Sequence, residues 1–292
     1  MNGTRSLTGN RPWRRRSPPF FVAVLAVLIL LAGCGAPRNE QRIEEPGLAD
    51  LIDELPESIQ SRPSPLDERC FVIGTSVDDR PIACISIGRG EEVILFIASI
   101  HGDESAGTPL LHDLAAWFRD RPQLLDGRKL LLIPEANPDG MAADRRTNSN
   151  GIDLNRNFPS HNRTNNRRYG LTPLSEPEAA AIAKMIRLHA PHRIVSLHEP
   201  VGCIDYDGPA HLLAAHMAAH CDLPVGKLGT RAGSLGAWAG EDLKIPIITL
   251  ELPRSAKYHD RGRLWEMYGK TLIEAVLFRE PSLGVEFERP VL

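Results

Sequence analysis

Glu92-Val93-Ile94-Leu95-Phe96-Ile97-Ala98-Ser99-Ile100-His101-Gly102-Asp103-Glu104 is the stretch on which the fold turns. Residues 92 to 99 are almost continuously apolar, the pattern of a strand buried on both faces. The run then opens into a histidine, a glycine and two acids. A second apolar run, 194 to 197, opens into His198-Glu199, and a third, 245 to 250, opens into Glu251. In open α/β sheets ligands bind outside the carboxyl ends of the strands. One rule of architecture therefore brings His101, Glu104, His198 and Glu251 to a single edge.

Around these runs the chain alternates strand and helix patterns. Residues 70 to 74 and 81 to 88 read as a β-hairpin joined through Val77-Asp78-Asp79-Arg80. Residues 130 to 134 form another buried strand, and helices are predicted over 105 to 119, 176 to 189, 210 to 220 and 263 to 278. Ser175, with Glu178 three residues on, fits a capping box for the second of these helices. Between 137 and 175 lies a long polar section rich in Asn, Arg and Gly, and a loop of that length in a compact domain is usually functional or disordered. Strands apolar on both faces and alternating with helices imply an α/β domain over 67 to 292, its mixed, mostly buried sheet flanked by helices on both faces. There is no internal repeat.

The N-terminus carries a different message. Of 34 basic and 37 acidic residues, a net charge of −3, five arginines and no acid fall within residues 1 to 33, which leaves the remainder at −8. After Arg14-Arg15-Arg16 come the apolar residues 20 to 32, a run short of the ~20 residues a membrane-spanning helix needs. This is the layout of a secretory signal peptide. Leu31-Ala32-Gly33-Cys34 also resembles a bacterial lipobox, in which Cys34 is lipidated and begins the mature chain. The expectation is an exported, periplasmic protein held to the membrane, the outer one by its resemblance to Gram-negative lipoproteins, through that lipid alone. Residues 34 to 66, rich in proline and charge, read as a flexible tether. Cys70, Cys84, Cys203 and Cys221 then remain, an even number in an oxidising compartment. Pairing Cys70 with Cys84 and Cys203 with Cys221 is one of three connectivities; buried free thiols are the alternative, because a domain of this size does not need staples.

Two histidines and a glutamate are a known zinc set, with a fourth position left for water in catalytic sites. His101 and Glu104, three apart, converge across a tight turn, and His198 completes the triangle. Glu251 is then free as the general base that takes a proton from the attacking water.

With these residues in place the sequence resembles the carboxypeptidase A-like zinc metallocarboxypeptidase family. The resemblance rests on His101-Gly102-Asp103-Glu104, Asn137-Pro138-Asp139-Gly140, residues 151 to 159 (Gly-Ile-Asp-Leu-Asn-Arg-Asn-Phe-Pro), Ser175-Glu176-Pro177-Glu178, His198 and Thr249-Leu250-Glu251-Leu252. It implies one zinc per chain on His101, Glu104 and His198, with Glu251 as the base. It also implies that Arg146 stabilises the oxyanion, with its neighbour Arg145 as the alternative, and that Asn155 and Arg156 hold the substrate's terminal carboxylate. A planar guanidinium suits that task because it binds a carboxylate through two parallel hydrogen bonds.

One departure from the family narrows the substrate. The digestive members carry a substrate-capping tyrosine shortly before the catalytic glutamate, yet here no tyrosine lies between Tyr206 and Tyr258. Residues 198 to 205 and 233 to 238 instead look like the murein peptide amidase branch, which cleaves between γ-D-glutamate and meso-diaminopimelate. The implied partner is a muropeptide. Diaminopimelate carries an amine and a carboxylate far from the cut, so a charged pocket wall is expected, with Arg231, Glu241 and Asp242 as the available charges. Two rivals remain: a zinc deacylase resembling succinylglutamate desuccinylase or aspartoacylase, and a non-catalytic lipoprotein that binds wall peptides. The Asn-Pro-Asp-Gly and Asp-Leu-Asn-Arg-Asn-Phe motifs oppose the first, and the complete zinc, base and arginine set opposes the second. His211, His216 and His220 share a predicted helix, but no glutamate follows in HExxH spacing, and that helix reads as solvated or packed. Ser234 lacks GxSxG spacing. With no phosphate loop and no basic stripe, nucleic acid is not an expected partner.

Overall fold

A hairpin opens the part of the chain that the computed structural model describes, residues 68–280. Strands β1 (Arg69–Thr75) and β2 (Pro81–Ile87) pair antiparallel, and the turn closes through Ser76 N–H to Arg80 O and Asp79 N–H to Ser76 O. The signal segment 1–33, the lipidation site Cys34, the tether 34–66 and residues 281–292 lie outside the described residues. The chain continues through β3 (Glu92–Ala98), α1 (Gly107–Arg119), β4 (Arg128–Ile133), α2 (Pro138–Ala142), α3 (Pro177–His189), β5 (Arg193–His198) and β6 (Val201–Asp207). It ends with α4 (His211–Ala218), the short β7 (Val225–Gly226), a π-helical turn (Gly236–Asp242), β8 (Ile247–Pro253) and α5 (Arg261–Leu277).

The eight strands form one sheet in the order β1-β2-β4-β3-β5-β8-β6-β7. β4, β3, β5 and β8 run parallel at its centre, while β1, β2 and β6 pair antiparallel, so the sheet is mixed. Both faces of the centre are dry, which is why these strands read as unbroken apolar runs. Ile94, Phe96 and Ala98 of β3 pack with α1, α4 and α5; Val93, Leu95 and Ile97 face the other way, onto α3. Among the described residues no helix is long and apolar enough to cross a membrane.

Along the strands, the second face changes character. On β5, Ile194 is followed on the same side by Ser196 and His198; on β8, Ile247 is followed by Thr249 and Glu251; on β6 the alternate residues are Cys203, Asp205 and Asp207. Among the described residues no regular helix covers this polar quarter of the sheet. The long 137–175 section and the π-helical turn border it instead.

One expectation is corrected, and two points that the sequence left open are decided. The segment after His198, which the sequence pattern assigns to no element, is a full strand, β6, in which Gly202 and the acids at 205 and 207 interrupt the apolar pattern. The capping box at 175–178 does not form. Glu176 is the N-cap and makes no side-chain cap hydrogen bond, because Glu178 is drawn away to accept from Val77 N–H at 3.2 Å and Asn148 Nδ2 at 3.1 Å. Finally, of the two states left open for the cysteines the free one holds: Cys70, Cys84, Cys203 and Cys221 are all free thiols. Burial pushes the Cys84 thiol up to about 12, so it stays protonated and behaves as a small hydrophobe.

Candidate active site

Register aligns the first pair of site residues. His198 and Glu251 are direct neighbours on the parallel strands β5 and β8, so their side chains share a face. His101 and Glu104 arrive from the turn after β3. That turn is pressed against the start of α2, where a Cβ on Gly102 would lie 2.0 Å from the Gly140 carbonyl carbon, which excludes any larger residue. Asn137 holds α2 in place: its Oδ1 accepts from Gly140 N–H at 2.9 Å, and its Nδ2 donates to Ile100 O at 3.2 Å. Asp139 anchors the same helix to the hairpin by accepting from Ser76 Oγ at 2.7 Å, Asp78 N–H at 3.0 Å and the Arg80 guanidinium. The Asn-Pro-Asp-Gly motif is thus a brace for the turn carrying His101 and Glu104.

The three side chains converge. His101 Nδ1 lies 2.8 Å from Glu104 Oε1, His198 Nδ1 lies 2.8 Å from Glu104 Oε2, and the two Nδ1 atoms are 3.2 Å apart. Behind each ring an oxygen fixes the other nitrogen: Asp153 Oδ1 is 3.2 Å from His101 Nε2, and Ser196 Oγ is 3.0 Å from His198 Nε2. Two nitrogens this close cannot both carry a proton between them, so at least one lone pair faces the shared space. Three donor atoms within 4.8 Å of one another, with both rings oriented from behind, suit a zinc ion. Burial alone would raise the Glu104 carboxyl, but its interactions with the two histidines outweigh it and hold it well below the carboxylate range. Burial also acts on Asp153, where the His101 hydrogen bond and the charges of His101, Arg146 and Arg156 win and keep it ionised.

Glu251 differs. Its Oε2 is buried without a hydrogen-bond partner. Burial raises its pKa, the charge of His198 opposes this, and Glu104 adds to the rise. A carboxylate poised upward beside a metal-capable cluster can accept a proton and release it again.

Arginines share with these residues the lining of a cleft of ≈ 220 Å³. Arg146 donates through Nη1 to Glu104 Oε1 and through Nε to Asp153 Oδ2, both at 3.0 Å. Arg145 instead turns to Ser149 Oγ at 3.0 Å, so of the two neighbours Arg146 lines the cleft. Asn155 and Arg156 line it as well. Asn155 Oδ1 accepts from Leu235 N–H at 2.8 Å, which ties this loop to the segment leading into the π-helical turn.

At the far wall the structure adds residues that sequence reasoning missed. Asp205 and Asp207 of β6 both line the cleft, together with Arg231. Asp205 Oδ1 accepts from Leu228 N–H at 2.8 Å. Asp207 Oδ1 is buried with no hydrogen-bond partner, and Lys227 Nζ at 3.7 Å is beyond hydrogen-bond reach. Burial first, then the charges of Asp205 and Glu241, push Asp207 up to about 6 against the pull of Lys227. Gly236 makes room for it, since a Cβ there would sit 2.1 Å from Asp207 Oδ2. The sequence did contain a signal: in Cys203-Ile204-Asp205-Tyr206-Asp207 the acids recur with strand period 2. Of the three charges suggested for the pocket wall, only Arg231 lines it. Glu241 stands behind, 3.8 Å from Lys227 Nζ, and Asp242 is engaged by His161. No tyrosine lines the cleft.

A family model described as zinc carboxypeptidase matches residues 61–206. Murein peptide amidase A of Escherichia coli (strain K12) is 35% identical over 178 residues, covering 54% of this chain and 70% of the relative. Murein peptide amidase A of Vibrio campbellii is 34% identical over 201 residues, covering 62% of this chain and 76% of the relative. Among solved structures, murein-tripeptide amidase MpaA from Escherichia coli O157 superposes with a TM-score of 0.61 at 27% identity, covering 77% of this chain and 97% of that one. Thrombin activatable fibrinolysis inhibitor superposes with a TM-score of 0.63 at 20% identity over 72% of this chain and 68% of that one, a likeness of fold alone.

Proposed function

The chain belongs to the zinc carboxypeptidase family, and from that premise we propose that it hydrolyses peptidoglycan peptides at the amide bond between γ-D-glutamate and meso-diaminopimelate. One observation carries the reading. The metal-capable trio His101, Glu104 and His198 shares a cleft with Glu251, one of whose carboxylate oxygens is unpartnered, and with Arg146, Asn155 and Arg156.

His101, Glu104 and His198 would hold the catalytic zinc, a single ion at this site. Bound there, zinc polarises the scissile carbonyl and makes a water molecule acidic. Glu251 takes a proton from the attacking water onto its carboxylate and passes it to the leaving amine. Arg146, oriented by Glu104 and Asp153, donates to the oxygen on which negative charge develops, where preorganised charge contributes most. Arg156 and Asn155 hold the free carboxylate beside the cut. Asp205 and Asp207 supply negative charge for the second ammonium group of diaminopimelate, remote from the reacting bond. The acidic wall favours this substrate over the acylated amino acids of a small-molecule deacylase.

Mass spectrometry of muropeptides incubated with the protein, with and without a chelator, tests the reading. The expected products are the peptides split at that bond, formed only without chelator. Glu251→Gln is expected to keep its metal and lower kcat by about two to four orders of magnitude, the range for a positioned acid–base group. Near-normal turnover in that variant would sink the mechanism, and turnover of N-acyl amino acids in place of muropeptides would sink the substrate assignment. The N-terminal layout supports a further part of the proposal: an exported enzyme held to the periplasmic side of the outer membrane by lipid on Cys34. Metabolic labelling with a fatty acid is expected to mark the wild type and not Cys34→Ala.

A further inference from the structure

A second group of metal-capable side chains lies on the opposite face of the sheet. His216 of α4, His220 on the turn that follows it, and Glu274 of α5 each offer one donor atom, all within 4.8 Å of one another. His216 and His220 are four residues apart, so the helical pitch stacks them on one side; their ring centroids are 5.1 Å apart. The missing carboxylate comes from the neighbouring helix, which the local sequence cannot show.

Hydrogen bonding leaves this cluster incomplete. His216 Nε2 is 3.1 Å from Glu274 Oε2, a satisfied pair. His220 is not satisfied: its Nδ1 is buried without a partner, and its Nε2 lies 3.9 Å from Glu274 Oε2, too far for a hydrogen bond. His220 is partly buried and makes no hydrogen bond through Nε2 to the protein, which leaves that nitrogen free for something else to bind. The spacing indicates what that is. Tetrahedral zinc with bonds of about 2.0 to 2.1 Å sets its donors roughly 3.3 Å apart, a value the observed 3.1 and 3.9 Å bracket. Phe278, whose ring centroid is 5.2 Å from that of His216, gives the cluster an apolar flank. Two imidazoles and a carboxylate also suit divalent zinc, nickel or copper better than calcium or magnesium.

We propose that His216, His220 and Glu274 form a second transition-metal site, distinct from the catalytic cluster, which clips α4 to the closing helix α5. The ion bonds to one nitrogen of each histidine and one oxygen of Glu274, with solvent completing the tetrahedron, and no step of hydrolysis involves it. Because it binds the folded chain and not the unfolded one, it stabilises the packing of α5 by mass action.

The test counts metal in the full chain. Protein stripped with chelator and reloaded with zinc chloride is passed through a desalting column and analysed by inductively coupled plasma mass spectrometry. Glu274→Gln and His220→Gln are each expected to hold one zinc fewer than the wild type, with muropeptide hydrolysis unchanged. Added zinc is expected to raise the Tm of wild type by about 5 to 10 °C more than that of either variant, at a hundredfold excess over Kd. Two independent substitutions guard against a folding defect in one. Equal zinc content in wild type and both variants would overturn the proposal. The difference in count is read whether or not the catalytic cluster is loaded, so this result stands apart from the test of hydrolysis.

Discussion

Asp207 and Glu251 occupy one face of two adjacent strands, and both are raised by burial, yet their tasks differ. Glu251 needs a pKa that lets it take up and release a proton; Asp207 needs to be charged to hold an ammonium group. With Asp207 at about 6, its charge is present above that pH and lost below it. The wild-type kcat/KM for diaminopimelate peptides is therefore expected to rise as pH increases through about 6. Asp205, Lys227 and Glu241 are the charges that set this value. Asp207→Asn is expected to lack that limb of the profile and to lose about tenfold to a hundredfold in kcat/KM at neutral pH, carried by KM, the range for a hydrogen bond to a charged group. The stability effect has the opposite sign. A carboxyl whose folded pKa lies above its unfolded value destabilises the fold once ionised, so stability is gained as pH falls through about 6. Asp207→Asn removes that burden and is expected to melt higher than wild type at pH 7.5. A variant that is both less stable and unchanged in KM would remove Asp207 from substrate recognition.

At the scale of elements, the motifs divide into those that touch the cleft and those that hold its parts still. Asn137-Pro138-Asp139-Gly140 belongs to the second kind, since α2 braces the turn carrying His101 and Glu104. Burial raises the Asp139 carboxyl, but donors from Ser76, Asp78 and Arg80 outweigh it and leave the pKa lowered. A lowered pKa contributes stability that is present above the unfolded value, about 4, and lost as pH falls through the folded one. Asp139→Ala is expected to cost about 1 to 3 kcal/mol at pH 7. That deficit is expected to shrink as acid protonates the wild-type carboxyl, and urea titrations at pH 7 and pH 3 would measure it. A deficit equal at both values would exclude Asp139's charge as the cause. The same scale explains what the sequence made legible. Strand ends were readable because long apolar runs stop at a histidine or a glutamate. The oxygens behind the ring nitrogens, Asp153 and Ser196, were not, because their partners lie 52 and 2 residues away and neither residue type is unusual in loop or strand. Strand β6 was hidden by its own function, since acids facing a cleft remove the hydrophobicity by which a strand is recognised. The capping box failed for a related reason. Local spacing favoured it, but Glu178 is fully buried and answers to donors far along the chain.

Across the whole molecule, the two edges of the sheet are put to different uses. The carboxyl edge holds charges with open valences, among them the free oxygens of Glu251 and Asp207. At the amino edge charges pair with one another, with Arg128 Nε the one buried nitrogen there that makes no hydrogen bond among the described residues. Arg193, at the start of β5, pairs through Nη1 with Glu92 at 2.8 Å. It also donates through Nε to Ala275 O at 2.8 Å and through Nη2 to Val276 O at 2.9 Å and Phe278 O at 3.1 Å. Those carbonyls end α5, where a helix leaves acceptors unsatisfied and its dipole favours a cation. One guanidinium thus fastens the last helix to the centre of the sheet and shares Glu92 with Arg128. Arg193→Ala is expected to cost about 3 kcal/mol, the lower end of the range for breaking a buried ion pair, because Glu92 is 30% exposed and water can replace its partner. For a domain of this size that corresponds to a fall in Tm of roughly 6 to 12 °C. Since Arg193 touches nothing in the cleft, kcat/KM per folded molecule at 25 °C is expected to match wild type. Denaturant unfolding and active-site titration of the same preparation read both quantities. A loss of kcat/KM without a loss of stability would mean that the amino edge also shapes the cleft, and that the division of the sheet into a holding edge and a reacting edge is wrong.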